Sequence, residues 1–271
     1  MSRQVITLTT DFGLADHFVG VVKGVILNIN PEVQLVDLSH EVNSFDPLDA
    51  ALTVGLNYKF FPTGTIHLVV VDPGVGSARR PILSGCAGHT FVAPDNGVLS
   101  LVWEGQSTVE VRHVTAEHYF LRPVSRTFHG RDVFAPVAGW LSRSAPPASF
   151  GELIEDYVRI TLPRPARVGN NLAGAKIVKV DKFGNLLTNV TALDLPELNS
   201  PACPGLKFTI NGREVTGFVG SFAEGSASEP FSYLGSSGFL EIGVNRGSAA
   251  ELLGAVAGTE IRVQVGDHET E

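Results

Sequence analysis

The first 140 residues alternate strand-like and helix-like runs, and this alternation stops near residue 160. Val5 to Thr9 is β-rich and ends at Asp11-Phe12-Gly13. A helical pattern follows from His17 to Asn28 and is stopped by Pro31. Val33 to Leu38 reads as a second strand. Asp46 and Pro47 suit the cap and first turn of a helix running to Tyr58. Thr65 to Val71 is an almost continuous apolar strand of the kind buried at the centre of a sheet. This βαβαβ order predicts a mainly parallel sheet flanked by helices. Thr90 to Ala93 and Thr108 to Val114 read as further strands, and Val133 to Leu141 as a further helix.

Ser144 to Ser149 has linker composition, and prolines and a glycine punctuate 163–169. A domain boundary is therefore expected within 160–172, separating an α/β domain (1–165) from a smaller domain (172–271). The second part carries short strand patterns at 175–180, 206–210, 214–219, 238–242 and 260–265. Asn211-Gly212 is a hairpin signal, because both residues tolerate positive φ. One short helix is expected at 249–254, within a small antiparallel β domain.

A formal net charge of -8 disfavours nonspecific binding to nucleic acid or an acidic membrane, and leaves a small cationic ligand open. The chain starts without a basic and apolar leader, and no apolar run reaches the roughly 20 residues of a membrane helix. Cys86 and Cys203 lie far apart and outside any metal-ligand spacing. A cytoplasmic protein without disulfides or a metal is expected.

In an open parallel sheet, ligands bind beyond the carboxyl ends of the strands, where several polar loops fall. Asp11 could accept hydrogen bonds from a ribose diol, or only satisfy its own turn. The loop Asp72-Pro73-Gly74-Val75-Gly76-Ser77-Ala78-Arg79-Arg80 is neither a phosphate loop nor a dinucleotide fingerprint. Its Asp72 and Arg79 read equally as a structural ion pair. His129, in Thr127-Phe128-His129-Gly130-Arg131-Asp132, reads as a structural histidine or a catalytic one, with Asp132 as a helix cap. Phe183 could stack on a flat ring and Asn185 could read an adenine edge, or both could be core and turn. His40, His67, His89, His113 and His118 show no metal-site spacing.

Taken together, TLTTDFG (7–13), VVDPGVGSARR (70–80), APDNG (93–97), TFHGRDVFAP (127–136), VDKFGN (180–185) and SSGFLEIGVNRGSAAELLG (236–254) resemble the S-adenosylmethionine (SAM) hydroxide adenosyltransferase family. These are adenosine-forming hydrolases related to fluorinating and chlorinating enzymes. The resemblance implies an N-terminal α/β domain, a C-terminal β domain and a homotrimer. In that trimer each active site combines the large domain of one subunit with the small domain of the next. It implies no cofactor beyond the SAM substrate. The catalytic set falls on Asp72, Arg79 and His129, Arg79 being preferred to Arg80 by its seven-residue spacing from Asp72. The ribose carboxylate falls on Asp11 and the methionine-binding aspartate on Asp181. Adenine contacts fall on Phe183 and Asn185, with backbone help near Arg246. Ser236 falls at the methionine end, and Phe45 and Phe222 could form aromatic walls.

The chain departs from the halogenases in three ways. Asp72 and Val75 stand where those enzymes use tyrosine and threonine, Ser237 replaces an arginine, and only 14 residues separate Gly76 from Phe91. An acidic Asp72 repels halide but can hold water, so hydrolysis is expected. The alternatives are adenosyl transfer to another nucleophile and a noncatalytic sensor of SAM or adenosine. In the expected mechanism Asp72 and His129 hold the water and Arg79 fixes Asp72, with His129 the favoured proton acceptor and the choice among the three left open.

Overall fold

The computed structural model describes residues 3–199 and 206–265, and the chain divides into two compact units, Met1–Thr161 and Leu162–Glu271. In the first unit the chain runs β1 (Val5–Thr10), α1 (Phe18–Ile29), β2 (Gln34–Ser39), α2 (Pro47–Asn57), β3 (Ile66–Val70), β4 (Pro81–Cys86), β5 (His89–Pro94), α3 (Ser100–Trp103), β6 (Val109–His113) and α4 (Ala135–Ser142). The sheet order is β2-β1-β3-β5-β4-β6. β2, β1, β3 and β5 run parallel, while β4 lies antiparallel to both β5 and β6. The expected parallel sheet is there, but β4 is an addition: Pro81 and Gly85 mask it in sequence.

β3 shows why its run is continuously apolar. Leu68 and Val70 face one core with Val22 and Ile26 of α1 and Val137 of α4. Val69 and Val71 face the other, with Ala50 and Val54 of α2 and Val102 of α3. Helices thus cover both faces, as a buried parallel strand requires. Asp46 caps α2, accepting from Leu48 and Asp49 N–H at 2.9 and 3.1 Å.

Two expectations fail here. The segment 144–149 is not a linker: Pro147–Phe150 forms a 3₁₀ turn inside the first unit, and Phe150 is wholly buried. Asp132 is not a helix cap. It sits within a π-helical turn, Gly130–Phe134, where its fully buried carboxylate takes Arg131 Nε at 2.6 Å and Ser125 N–H at 2.8 Å.

The second unit comprises β7 (Ala166–Val168), β8 (Asn171–Ala173), β9 (Ile177–Val180), β10 (Leu186–Thr191), β11 (Leu206–Ile210), β12 (Arg213–Val215), β13 (Gly217–Phe218), β14 (Phe231–Leu234), β15 (Phe239–Gly243), α5 (Ala249–Leu253) and β16 (Arg262–Val265). They form two five-stranded sheets, β13-β14-β15-β10-β9 and β12-β11-β16-β8-β7, antiparallel apart from the β13–β14 pair. Both sheets contribute to one core: Ile177, Leu186 and Ile242 from the first, Phe208 and Val263 from the second. The single strand expected at 214–219 is in fact two, β12 and β13, placed in different sheets. Cys86 is a buried free thiol, and Cys203 lies outside the described residues. Among the described residues no helix is long and apolar enough to cross a membrane.

Candidate active site

Asp11 and Asp72 both lie just beyond the carboxyl ends of parallel strands, β1 and β3. The Asp72 loop is pressed against the His129 segment. Gly76 has φ +75°, and a Cβ there would sit 2.2 Å from the Arg126 carbonyl oxygen, so only glycine permits this approach. Arg79 then reaches back across the loop. Its Nε donates to both Asp72 oxygens, at 2.8 and 2.9 Å, and its Nη2 donates to Asp72 Oδ2 and, at 2.9 Å, to His129 Nδ1. The Asp72 and Arg79 side chains are 6% and 8% exposed. Arg80 turns elsewhere, to Asp95 and Asp156.

The direction of the Arg79–His129 bond fixes the imidazole. A guanidinium has no acceptor, so Nδ1 must present its lone pair and the neutral ring carries its proton on Nε2. Burial, then the neighbouring Arg79 charge, hold the His129 pKa below its usual value, against an opposing pull from Asp72 and Asp132. His129 is therefore a neutral donor at Nε2. Of the three side chains, only Asp72 remains an acceptor. This departs from the expectation that His129 takes the proton.

Asp72, Val75 and His129 open on a cleft of about 390 Å³, which Asp11 and Phe45 also line. Asp11 Oδ2 accepts the Phe45 N–H at 2.9 Å, holding Phe45 at φ +64°, where its ring is exposed. Phe12, Phe18 and Phe128 line the same cleft, with ring centroids 5.2 to 6.0 Å apart. Phe18 escaped sequence reasoning because it reads as the start of an amphipathic helix.

The other predicted residues gather in the second unit. Asp181, Phe183, Asn185, Phe222, Ser236 and Arg246 all line a cleft of about 730 Å³. Asp181 organises its own loop: Oδ1 accepts the N–H groups of Phe183 and Asn185, and Oδ2 accepts Asn185 Nδ2, each at 2.8 Å. Gly184, at φ +83°, leaves no room for a Cβ beside Ser248, which caps α5. The loop presents Phe183 as an exposed rim aromatic. Two residues that the sequence did not single out share this cleft, Tyr233 and Glu241, with Tyr233 O–H donating to Glu241 Oε2 at 2.6 Å. Burial, then Asp181, push the Glu241 pKa up, while the Tyr233 bond opposes that shift. The period-2 pattern of Phe239–Gly243 puts Glu241 opposite the core residues Leu240 and Ile242, but nothing in it reveals that the opposite face is a cleft. Among the described residues no group of three or more His, Cys, Asp or Glu is arranged to hold a metal ion.

The N-terminal domain of the SAM hydroxide adenosyltransferase family matches residues 6–151, and its C-terminal domain matches residues 175–262. A protein of Salinispora tropica named (R)-S-adenosyl-L-methionine hydrolase is 34% identical over 96% of this chain and 98% of its own length. One of the same name from Thermus thermophilus is 35% identical over 94% and 97%. A fluorinase of an Actinoplanes species is 27% identical over 96% and 97%. A crystal structure of an uncharacterized conserved protein from Thermotoga maritima superposes with a TM-score of 0.88 at 34% identity, covering 96% of this chain and 99% of that one.

Proposed function

Because the chain belongs to the SAM hydroxide adenosyltransferase family, we propose that it hydrolyses S-adenosyl-L-methionine to adenosine and L-methionine. The relatives' names specify the (R) form, and we carry that stereochemistry over to the substrate. The observation that carries the reading is the Asp72–Arg79–His129 constellation on the wall of the cleft lined by Asp11. The cleft of the first unit receives the ribose on Asp11 and presents C5′ to the triad. The cleft of the second receives adenine on Phe183 and Asn185 and the methionine end on Asp181 and Ser236. We extend the reading to a homotrimer, as in the family. Light scattering should give three times the mass of one chain; a monomer would overturn that extension.

The sulfonium is already a good leaving group, so the protein's task is to place one water in line with C5′ and sulfur. Such positioning is worth up to about 7–11 kcal/mol in ideal intramolecular cases. Asp72 accepts from the water and His129 Nε2–H donates to its oxygen, fixing it between two partners. The water oxygen bonds to C5′ as the C5′–S pair collapses onto sulfur, releasing neutral thioether, and the water's proton passes to the Asp72 side. Asp72 and Val75 both line this cleft, putting a carboxylate and an apolar side chain at the two positions where the halogenases carry hydroxyl groups. That favours water over a halide.

Incubation with SAM in ¹⁸O-water, followed by chromatography and mass spectrometry, tests this reading. Equal amounts of adenosine and methionine are expected, with the label in the adenosine 5′-hydroxyl and a preference for the (R) sulfonium. A 5′-halogenated product would identify a halogenase. Binding without turnover would identify a sensor.

A further inference from the structure

The segment that carries His129 winds unusually, and the cause is local. Pro136 sits in the first turn of α4 and has no N–H to give the Asp132 carbonyl four positions back. Leu121 N–H takes that carbonyl instead, at 2.9 Å, and the Ala135 N–H reaches past it to Gly130. The result is the π-helical turn Gly130–Phe134. In an α-helix, a residue five positions on lies about 140° around the axis. The wider π turn narrows that angle and swings Phe134 toward the side of His129. Both then meet one guanidinium: Arg79 Nη2 donates to His129 Nδ1 at 2.9 Å, and Arg79 Cζ lies 4.9 Å from the Phe134 ring centroid. Phe134 is wholly buried and lines neither cleft. Nε and Nη2 of Arg79 are spent on Asp72 and His129, while its Nη1 is buried and has no hydrogen-bond partner among the described residues. A buried unpaired donor is costly, and an aromatic face is a surface that meets its charge favourably.

We propose that Phe134 is a positioning residue for the hydrolysis: its ring face holds the Arg79 guanidinium in the plane from which Arg79 grips Asp72 and fixes the His129 tautomer. This rests on the reaction proposed above and extends it to a side chain outside both clefts. The hydrogen bonds of the guanidinium fork lie in its plane, so a tilt of that plane loosens Asp72 and His129 together.

Mono-, di- and trifluorophenylalanine placed at position 134 test the inference, because ring fluorines drain the negative face while nearly keeping its shape. Across the series kcat should fall stepwise, by about tenfold in total, the scale of a desolvated cation–π contact. The dissociation constant of SAM should stay level. In ¹⁵N NMR, His129 should lose its single Nε2–H tautomer and take up a proton at higher pH as fluorines are added. In an Arg79→Ala background the series should have no further effect. The same substitutions at Phe150, a wholly buried ring of the same core that packs against Tyr119, should leave kcat unchanged. A level kcat with unchanged His129 signals would overturn the inference and make Phe134 a packing residue only. An equal fall in the Phe150 series would overturn it as well. A wild-type protein that forms no adenosine defeats the reaction proposed above; the His129 signals, which need no turnover, then still decide whether Phe134 holds Arg79.

Discussion

Replacing Arg79 with alanine is expected to lower kcat by roughly 10²–10³-fold, the range seen when one preorganised donor is lost from a reaction centre. The dissociation constants of SAM and adenosine should move only a few-fold, because Arg79 lies behind Asp72 and does not line the cleft lined by Asp11. The loss has two sources. Asp72 would be left as a nearly buried carboxylate without its bidentate partner, free to rotate. His129 Nδ1 would lose the donor that fixes its tautomer, so Nε2 would no longer be committed to donating. The same change removes one of the two causes that hold the His129 pKa down. His129 should therefore take up a proton at higher pH in the variant than in the wild type, which an NMR titration of its ring measures. Arg79→Lys keeps the charge but not the planar fork, and should recover only part of the rate. Stopped-time assays across pH on all three proteins measure these effects. An unchanged kcat in Arg79→Ala would remove Arg79 from the mechanism.

How much of this was legible in the sequence differs by element. β3 and the loop that follows it were plain, because a strand with helices on both faces must be apolar throughout and a loop at its end must be polar. β4 and β14 were not, because edge and antiparallel strands tolerate the glycines, serines and prolines that also mark loops. Asp72, Arg79 and His129 were readable as types but not as a site, because spacing cannot distinguish a structural ion pair from one aimed at a cleft. Their union depends on Gly76 meeting the Arg126 carbonyl, a contact across 50 residues of chain. Which nitrogen of His129 faces Arg79 was not legible at all, since it depends on the fold that brings the two side chains together. Asp132 shows the converse. A helix cap was the natural local reading, but a buried bond to Arg131 and the Ser125 amide outcompeted it.

A histidine outside both clefts sets the second large effect. His67 lies on β3, 1% exposed, with Nδ1 2.7 Å from Thr7 Oγ1, Nε2 3.3 Å from His89 Nδ1 and its ring stacked on Phe91. Burial, with a smaller contribution from His89, lowers its pKa from 6.5 to about 3. The unfolded chain therefore binds a proton at this residue below pH 6.5 that the folded chain refuses until about pH 3. Stability falls as pH drops through that window, by up to about 1.4 kcal/mol per pH unit from this one side chain. Between pH 7 and 5 the loss amounts to about 2 kcal/mol, before most carboxylates begin to titrate. His67→Gln keeps a polar partner for Thr7 and removes the titration. It should cost some stability at pH 7 through poorer packing, yet abolish most of the decline between pH 7 and 5. Urea unfolding at these two pH values decides the matter: equal declines in wild type and variant would mean that the folded protein protonates His67 as readily as the unfolded chain does. The lowered pKa of His89 adds a smaller acid sensitivity of the same sign, so the variant should retain a residual slope rather than none.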